Sequence, residues 1–284
     1  MDLEQQLCLG SHLSVAGGAW KAVDEAISLE LSSLQIFTKN ASRWVQKPID
    51  PKDVARFAER RAEWGSGPVI SHTSYLINLG SPKDELFEKS RAALLDELER
   101  AALLQLDGVV QHPGAHVGSG VEAAIARIAE GARQVIDEAP LGPKLILENT
   151  AGAGSTIGRS FEELASLVEQ IDRPDRIGIC LDTCHLFASG YELRTQKGYA
   201  ETMAQLEKNL DLSLVVAWHL NDSRGDLGSN LDRHEHIGTG MIGTEGFRLL
   251  LADERFFGIP KILETAKEDD WDQTNLRVLR ELAP

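Results

Sequence analysis

The chain has 284 residues, 42% of them hydrophobic and 26% charged, and a formal net charge of −15. This is the balance of an ordinary globular protein with ample material for a core, and its acidity excludes a protein that grips nucleic acid by net charge alone. Net charge does not settle the partner, because bound divalent cations can reverse the local sign at a site.

No apolar run approaches the roughly 20 residues that a membrane span needs. The N-terminal MDLEQQLCLG lacks the basic and long apolar regions of a signal peptide. Cys8, Cys180 and Cys184 are too few, and odd in number, for a disulfide framework. A cytoplasmic protein is expected.

In chain order, one unit recurs. A short apolar run ends in a polar or metal-binding residue, and a longer amphipathic stretch follows. The runs are LCLGSH to His12, SLQIFTKN to Asn40, PVISH to His72, GVVQH to His112, KLILE to Glu148, IGICLD to Asp182, LVVAWH to His219 and KILE to Glu264. Their ends lie about 28 to 45 residues apart, room for one strand, one helix and two loops. Ser81-Pro82 predicts a helix start, and Leu86, Leu94, Leu98 and Ala101 follow its period. Ser160 with Glu163 forms a capping box, and Asp50-Pro51, Gly120 and Thr244 mark further starts. Eight alternating units predict an α/β chain closed into a (β/α)8 TIM barrel, one catalytic domain over residues 1–284. No GxGxxG or P-loop follows any strand, which disfavours a nucleotide-binding open sheet.

The eight histidines are His12, His72, His112, His116, His185, His219, His234 and His236. Each falls at a predicted strand end or in the loop after it, and none in a predicted helix. A barrel gathers these positions at one face. Strand alternation places Val110, Ile146, Gly178, Cys180, Ala217 and Ile262 in the barrel below the end residues, with Leu147 and Trp218 facing the helices. Glu148 and Glu264 end apolar strands, where a carboxylate is costly without a cation. Imidazole and carboxylate together are the donors of zinc and related ions. His12, His116 and His236 are read as hydrogen-bonding residues, and Cys180 and Cys184 as packing.

The segments HTSYLINLGSP, HPGAH, LENTAGAGSTIG, LDTCHLFASGY, HLNDS, DRHEHIGTG and LET occur in this order. With GSHLSVAGG near the start, they resemble the endonuclease IV family of apurinic/apyrimidinic endonucleases over nearly the whole chain. The resemblance implies three zinc ions, with manganese possible at some sites. His72 and His112 would hold one, with Glu148 bridging to a second held by Asp182, His219 and Glu264. His185, Asp232 and His234 would hold the third. Four carboxylates against three dications leave the mouth at about +2, a local phosphate site on an acidic protein.

The resemblance further implies a monomeric repair enzyme acting on double-stranded DNA that contains abasic sites. Water activated between metal ions would attack phosphorus in line, leaving a 3′-hydroxyl and a 5′-deoxyribose phosphate, with Glu148 and Glu264 as the catalytic carboxylates. Tyr75 and Leu76, after the third strand, are placed to fill the gap left by the missing base. Lys39, Asn40, Arg43, Arg224 and Arg233 are expected phosphate contacts. Where the family often has an arginine two places past the asparagine of FTKN, this chain has Ser42, with Arg43 beside it.

Two other readings compete. A sugar isomerase or epimerase of related fold needs only Glu148, Asp182, His219 and Glu264, and leaves His72, His112, His185, Asp232 and His234 surplus. A non-enzymatic DNA-binding or zinc-storage protein is disfavoured by four carboxylates, since storage selects thiolates.

Overall fold

The computed structural model describes residues 3–65, 67–267 and 270–284. Eight strands, β1 (Leu9–Leu13), β2 (Ser33–Phe37), β3 (Val69–His72), β4 (Gly108–Gln111), β5 (Lys144–Glu148), β6 (Ile177–Asp182), β7 (Val215–His219) and β8 (Lys261–Leu263), form a closed barrel in chain order. Every barrel pairing is parallel, and Leu9 and Ser11 of β1 meet Lys261 and Leu263 of β8 to close the ring. The outer helices are α1 (Trp20–Ser28), α2 (Pro51–Trp64), α3 (Asp84–Leu103), α4 (Val121–Glu138), α5 (Phe161–Ile171), α6 (Gln196–Asn209), α7 (Gly243–Leu251) and α8 (Trp271–Leu282). The expected (β/α)8 barrel is thus the observed fold. Among the described residues, no helix is long and apolar enough to cross a membrane.

Alternation along each strand divides the core in two. Ile70, Val110, Ile146, Cys180, Ala217 and Ile262 fill the barrel interior. Leu147 and Trp218 belong to the larger layer between sheet and helices, as the period of two requires. Glycines admit branched neighbours into the interior: a Cβ on Gly108 would lie 2.5 Å from Ile146 Cδ1. The β6–β7 register slips at Ile179/Cys180, where Ile179 faces Val215 but Cys180 faces Ala217. Val216 is therefore the extra residue of a bulge. Its Cγ2 would stand 2.4 Å from a Cβ on Gly178, so it occupies the space that Gly178 leaves.

Several boundaries differ from expectation. Strand β2 stops at Phe37, so Asn40 lies in the following loop. Ser81 does not cap α3: its Oγ accepts from Lys83 N in a turn, and the helix opens at Asp84. Phe87, not Leu86, carries the buried face of that first turn. Thr244 falls just inside α7, which starts at Gly243. Asp50 and Ser160 do cap α2 and α5, accepting from Lys52 N and Glu163 N. Glu163 reaches back to Gly158 N and Arg159 N.

Candidate metal centre at the barrel mouth

The C-terminal ends of the strands deliver His72, Glu148, Asp182 and His219, and the residues just beyond β4 and β8 deliver His112 and Glu264. His185 corrects the expectation that no histidine is helical. It sits in a short helix, Thr183–Ser189, that starts directly from β6 with Asp182 as its cap. The Asp182 carboxylate accepts from His185 N at 2.8 Å, so two site residues are fixed by one local motif. Asp232 and His234 come from the long loop after β7. Buried Asp222 anchors that loop, accepting from the backbone N–H groups of Ser223, Gly238, Gly240, Ile242 and Gly243 at 2.8–3.3 Å.

The donor atoms fall into groups whose members lie within 4.8 Å of one another: His72, His112 and Glu148; Glu148, Asp182, His219 and Glu264; and His185, Asp232 and His234. Glu148 is fully buried and common to two groups. Its oxygens lie 2.9 Å from His219 Nδ1, 3.0 Å from His112 Nε2, 3.1 Å from His72 Nε2 and 3.4 Å from His185 Nδ1. Asp182, Cys184 and His234 form a further group. Burial, however, pushes the Cys184 thiol up to about 12, and its Sγ lies 3.6 Å from Arg233 O as a donor. Cys180 in the inner core is likewise pushed up to about 12 by burial.

Neighbouring acceptors fix the imidazole tautomers. His185 Nδ1 lies 2.9 Å from Asn149 O and His72 Nδ1 2.9 Å from Thr73 O, so both donate there and turn Nε2 toward the centre. Gln35 does the same for His219. Its Nε2 donates to Glu264 Oε1 at 2.6 Å, which leaves Oε1 to accept from His219 Nε2 at 2.9 Å. His219 Nδ1 then faces two carboxylates, Glu148 at 2.9 Å and Glu264 at 3.0 Å. Lone pair against carboxylate is repulsive unless a proton or a metal ion stands between them.

Electrostatics agree. Burial pushes the Glu148 and Glu264 carboxyls up, but adjacent imidazoles, His112 and His219 for Glu148 and His219 for Glu264, outweigh it and hold both well below the usual range. Asp232 is held at about 2: burial raises it and His185 lowers it more. Among the described residues, His185 Nε2 and His234 Nε2 are buried without a hydrogen bond. They nevertheless lie 3.2 and 3.6 Å from Asp232 Oδ1. Ionised carboxylates, inward-facing imidazole nitrogens and close but misaligned N···O pairs are the donor chemistry of a cationic metal, and the site fits one.

The remaining histidines keep to hydrogen-bonding and packing roles. His12 Nδ1 approaches Gln35 Nε2 at 3.0 Å and Glu264 at 3.3 Å. His116 Nδ1 accepts from Gly118 N, and His236 stacks on Trp271 at 3.8 Å. Sequence reasoning missed Gln35, Asn149 and Asn221. Asn149 Oδ1 accepts from Asp182 N, while Asn221 donates to the Asp182 carboxylate and accepts from Glu264 N. The asparagines stand one and two places past the ligand candidates Glu148 and His219, a signal the sequence does offer.

The mouth is a cavity of about 550 Å³ whose lining includes His72, His112, His185, Asp232, His234 and Tyr75. Tyr75 stands on the rim, 73% exposed, with half-buried Leu76 beside it. Asn40, Arg43 and Arg233 are exposed, and Arg224 is exposed but paired with Glu235. Lys39 contradicts its expected phosphate contact. It is 4% exposed, and its ammonium is held by Asp96, Glu97 and Ala93 O.

A family model described as a xylose isomerase-like TIM barrel matches residues 23–282. A Chloroflexus aurantiacus protein named "Probable endonuclease 4" is 48% identical over 276 residues, covering 96% of this chain and 97% of that protein. The crystal structure of endonuclease IV from Thermus thermophilus superposes with a TM-score of 0.87 at 41% identity, covering 96% of this chain and 98% of the other. A D-tagatose 3-epimerase-like protein superposes with a TM-score of 0.75 over 96% of both chains, but at 20% identity it shares the fold alone. Identity of this order along nearly the full length, on a barrel of the same construction, means that the chain belongs to the endonuclease IV family.

Proposed function

We propose that this endonuclease hydrolyses the phosphodiester bond 5′ to an abasic site in duplex DNA, leaving a 3′-hydroxyl and a 5′-deoxyribose phosphate, with three zinc ions at the barrel mouth. The supporting observation is the convergence of His72, His112, Glu148, Asp182, His185, His219, Asp232, His234 and Glu264 into three connected donor groups. A sugar isomerase would use Glu148, Asp182, His219 and Glu264 and leave the His185–Asp232–His234 group idle. Manganese is chemically admissible, since imidazole and carboxylate accept it. The protein acts as a monomer in the cytoplasm, in keeping with its three free, buried cysteines.

Ions bound here supply Lewis-acid stabilisation of phosphoryl charge and a water acidic enough to attack at neutral pH. The chain supplies the rest. Glu148, shared by two groups, keeps them in register and orients the attacking water. Gln35 locks the His219 tautomer, and Asn149 O locks that of His185. An abasic nucleotide has no base to unpair, so its extrusion into the cavity costs less than that of an intact one. Tyr75 and Leu76 cover the gap, while Asn40, Arg43 and Arg233 meet the backbone.

Metal analysis of protein purified without chelators, paired with incision of a duplex carrying one abasic site, tests this reading. About three ions per chain and cleavage are expected. A reproducible single ion with ketose epimerisation would replace it.

Gln35→Leu is expected to weaken zinc at the His219 group by about 10–100-fold while the barrel stays folded, because the partner that orients His219 is gone. Competition against a chromogenic chelator measures this, and unchanged affinity would remove Gln35 from the site. Tyr75→Ala is expected to cut the preference for abasic over intact duplex by about 1–3 kcal/mol without changing its salt dependence. Arg43→Ala should instead flatten the salt slope by about one ion. Binding of both duplexes across salt concentrations separates the two, and equal losses for both duplexes in Tyr75→Ala would reduce Tyr75 to loop packing.

A further inference from the structure

The loops after β2 and β3 carry the DNA-facing residues proposed above other than Arg233, and neither is held by a sheet. Residues 38–50 contain no helix or strand, and residues 73–83 make only turns before α3 begins. Both are tied to α3 instead, at one carboxylate. Glu97 is 1% exposed. Its Oε2 accepts from Thr38 Oγ1 at 2.5 Å, and its Oε1 accepts from Ser74 N at 3.4 Å. Lys39 Nζ stands 3.4 Å from the same Oε1 and 2.8 Å from Asp96. Asp96 passes the contact on to Arg100, which donates to Gln46 O and Lys47 O at the far end of the first loop. Ser74 Oγ closes the circuit by donating to Ala41 O and accepting from Leu76 N at 3.2 Å.

A buried carboxylate is costly, and here its partners come from two loops that otherwise touch through the short Ser74 Oγ–Ala41 O contact. Lys39 and Arg100 together balance Glu97 and Asp96, so Lys39 is turned inward rather than toward DNA and is buried at the edge of a phosphate site. We propose that Glu97 is a positioning residue: it clamps the loop bearing Asn40–Arg43 to the loop bearing Tyr75–Leu76 and so sets the width of the DNA groove at the mouth. This rests on the abasic-site reading only for its effect on DNA; the coupling of the two loops is a property of the free protein. Glu97 touches none of the nine metal-ligand candidates, so its loss changes groove geometry and leaves the centre intact.

The test uses Thr38→Val, which removes one hydrogen bond and no charge, with Thr38→Ser restoring the hydroxyl and Glu97→Gln as the stronger change. Amide hydrogen exchange of the metal-loaded protein without DNA reads the coupling. Thr38→Val should raise exchange in both residues 40–47 and residues 74–79, and Thr38→Ser should return both to the parent level. With abasic duplex, KM should rise about tenfold, the weight of one hydrogen bond to a charged acceptor, while the single-turnover rate at saturation stays within about twofold. Increased exchange confined to residues 40–47 overturns the clamp. Joint loosening with an unchanged KM overturns its role in the groove, as does a loss of saturated rate matching the loss in KM. If the parent protein does not incise abasic duplex, the functional reading fails, and the exchange result still decides the clamp.

Discussion

Glu148→Gln is expected to lower incision by about 10³–10⁴-fold, equivalent to the several kcal/mol that metal stabilisation of a phosphoryl transition state provides. The substitution keeps volume and shape, so the Leu145–Leu147 strand and its pairing with β6 are undisturbed. What it removes is the charge shared by the His72–His112 group and the Asp182–His219–Glu264 group. Imidazole nitrogens approach this carboxylate from His72, His112, His185 and His219, all within 3.4 Å. A neutral amide also turns an N–H toward part of that ring, competing with any cation for the same lone pairs. Single-turnover incision, metal content and thermal melting should show lost rate, lost metal and a folded barrel. A rate within tenfold of the parent, with full metal content, would defeat the bridging role.

Stripping the metal should reverse the slope of stability against pH near neutrality. In the metal-free chain, burial pushes His185 and His219 down, but the carboxylates of Asp182 and Asp232 around one, and of Glu264 and Glu148 around the other, raise both well above 6.5. His72 is raised too, with Glu148 overcoming burial. A raised histidine contributes stability that is complete below its unfolded value and is lost as pH rises through its folded one. Glu148, Glu264 and Asp232 are depressed, so their contribution is complete above the ordinary carboxylate range and lost as pH falls. The contribution of these six groups to the stripped protein is therefore greatest between the carboxylate value of 4.5 and the imidazole value of 6.5, and falls above that, with His12, lowered by burial, opposing it. The loaded protein needs neutral imidazoles as ligands and gains stability over the same rise. Adding zinc to stripped protein at pH 7 should release up to about three protons per chain, one from each raised imidazole. Melting curves from pH 5 to 9 and a pH-stat titration check both. Parallel slopes with no proton release would mean that these histidines are not ligands.

The barrel is legible in the sequence because its strands end in residues that do not suit their interiors. LILE and KILE each set a carboxylate on an apolar run, and alternation then fixes Ile146 and Ile262 beneath them. The Asp50 and Ser160 caps are legible for a similar reason: their signal lies within four residues. What stays hidden depends on contacts between distant segments. Gln35 reads as an ordinary strand residue until β7 and β8 bring His219 and Glu264 to its amide. Lys39 reads as a free cation until α3 returns Asp96 and Glu97 beneath it. The bulge at Val216 follows from a register slip between β6 and β7 that neither strand shows alone. His185 reads as a loop residue because seven residues are too few for a helical period to emerge, although the Asp182 cap is present in the sequence.

Abasic-site incision is decided most directly by the chemistry of the ends that metal-loaded protein produces from a duplex with a single abasic site. One cut on the 5′ side is expected, with a 3′-hydroxyl that a DNA polymerase extends without further processing and a 5′-deoxyribose phosphate on the other fragment. No cut, a cut on the 3′ side with an unsaturated sugar end, or equal cutting of intact duplex would contradict it.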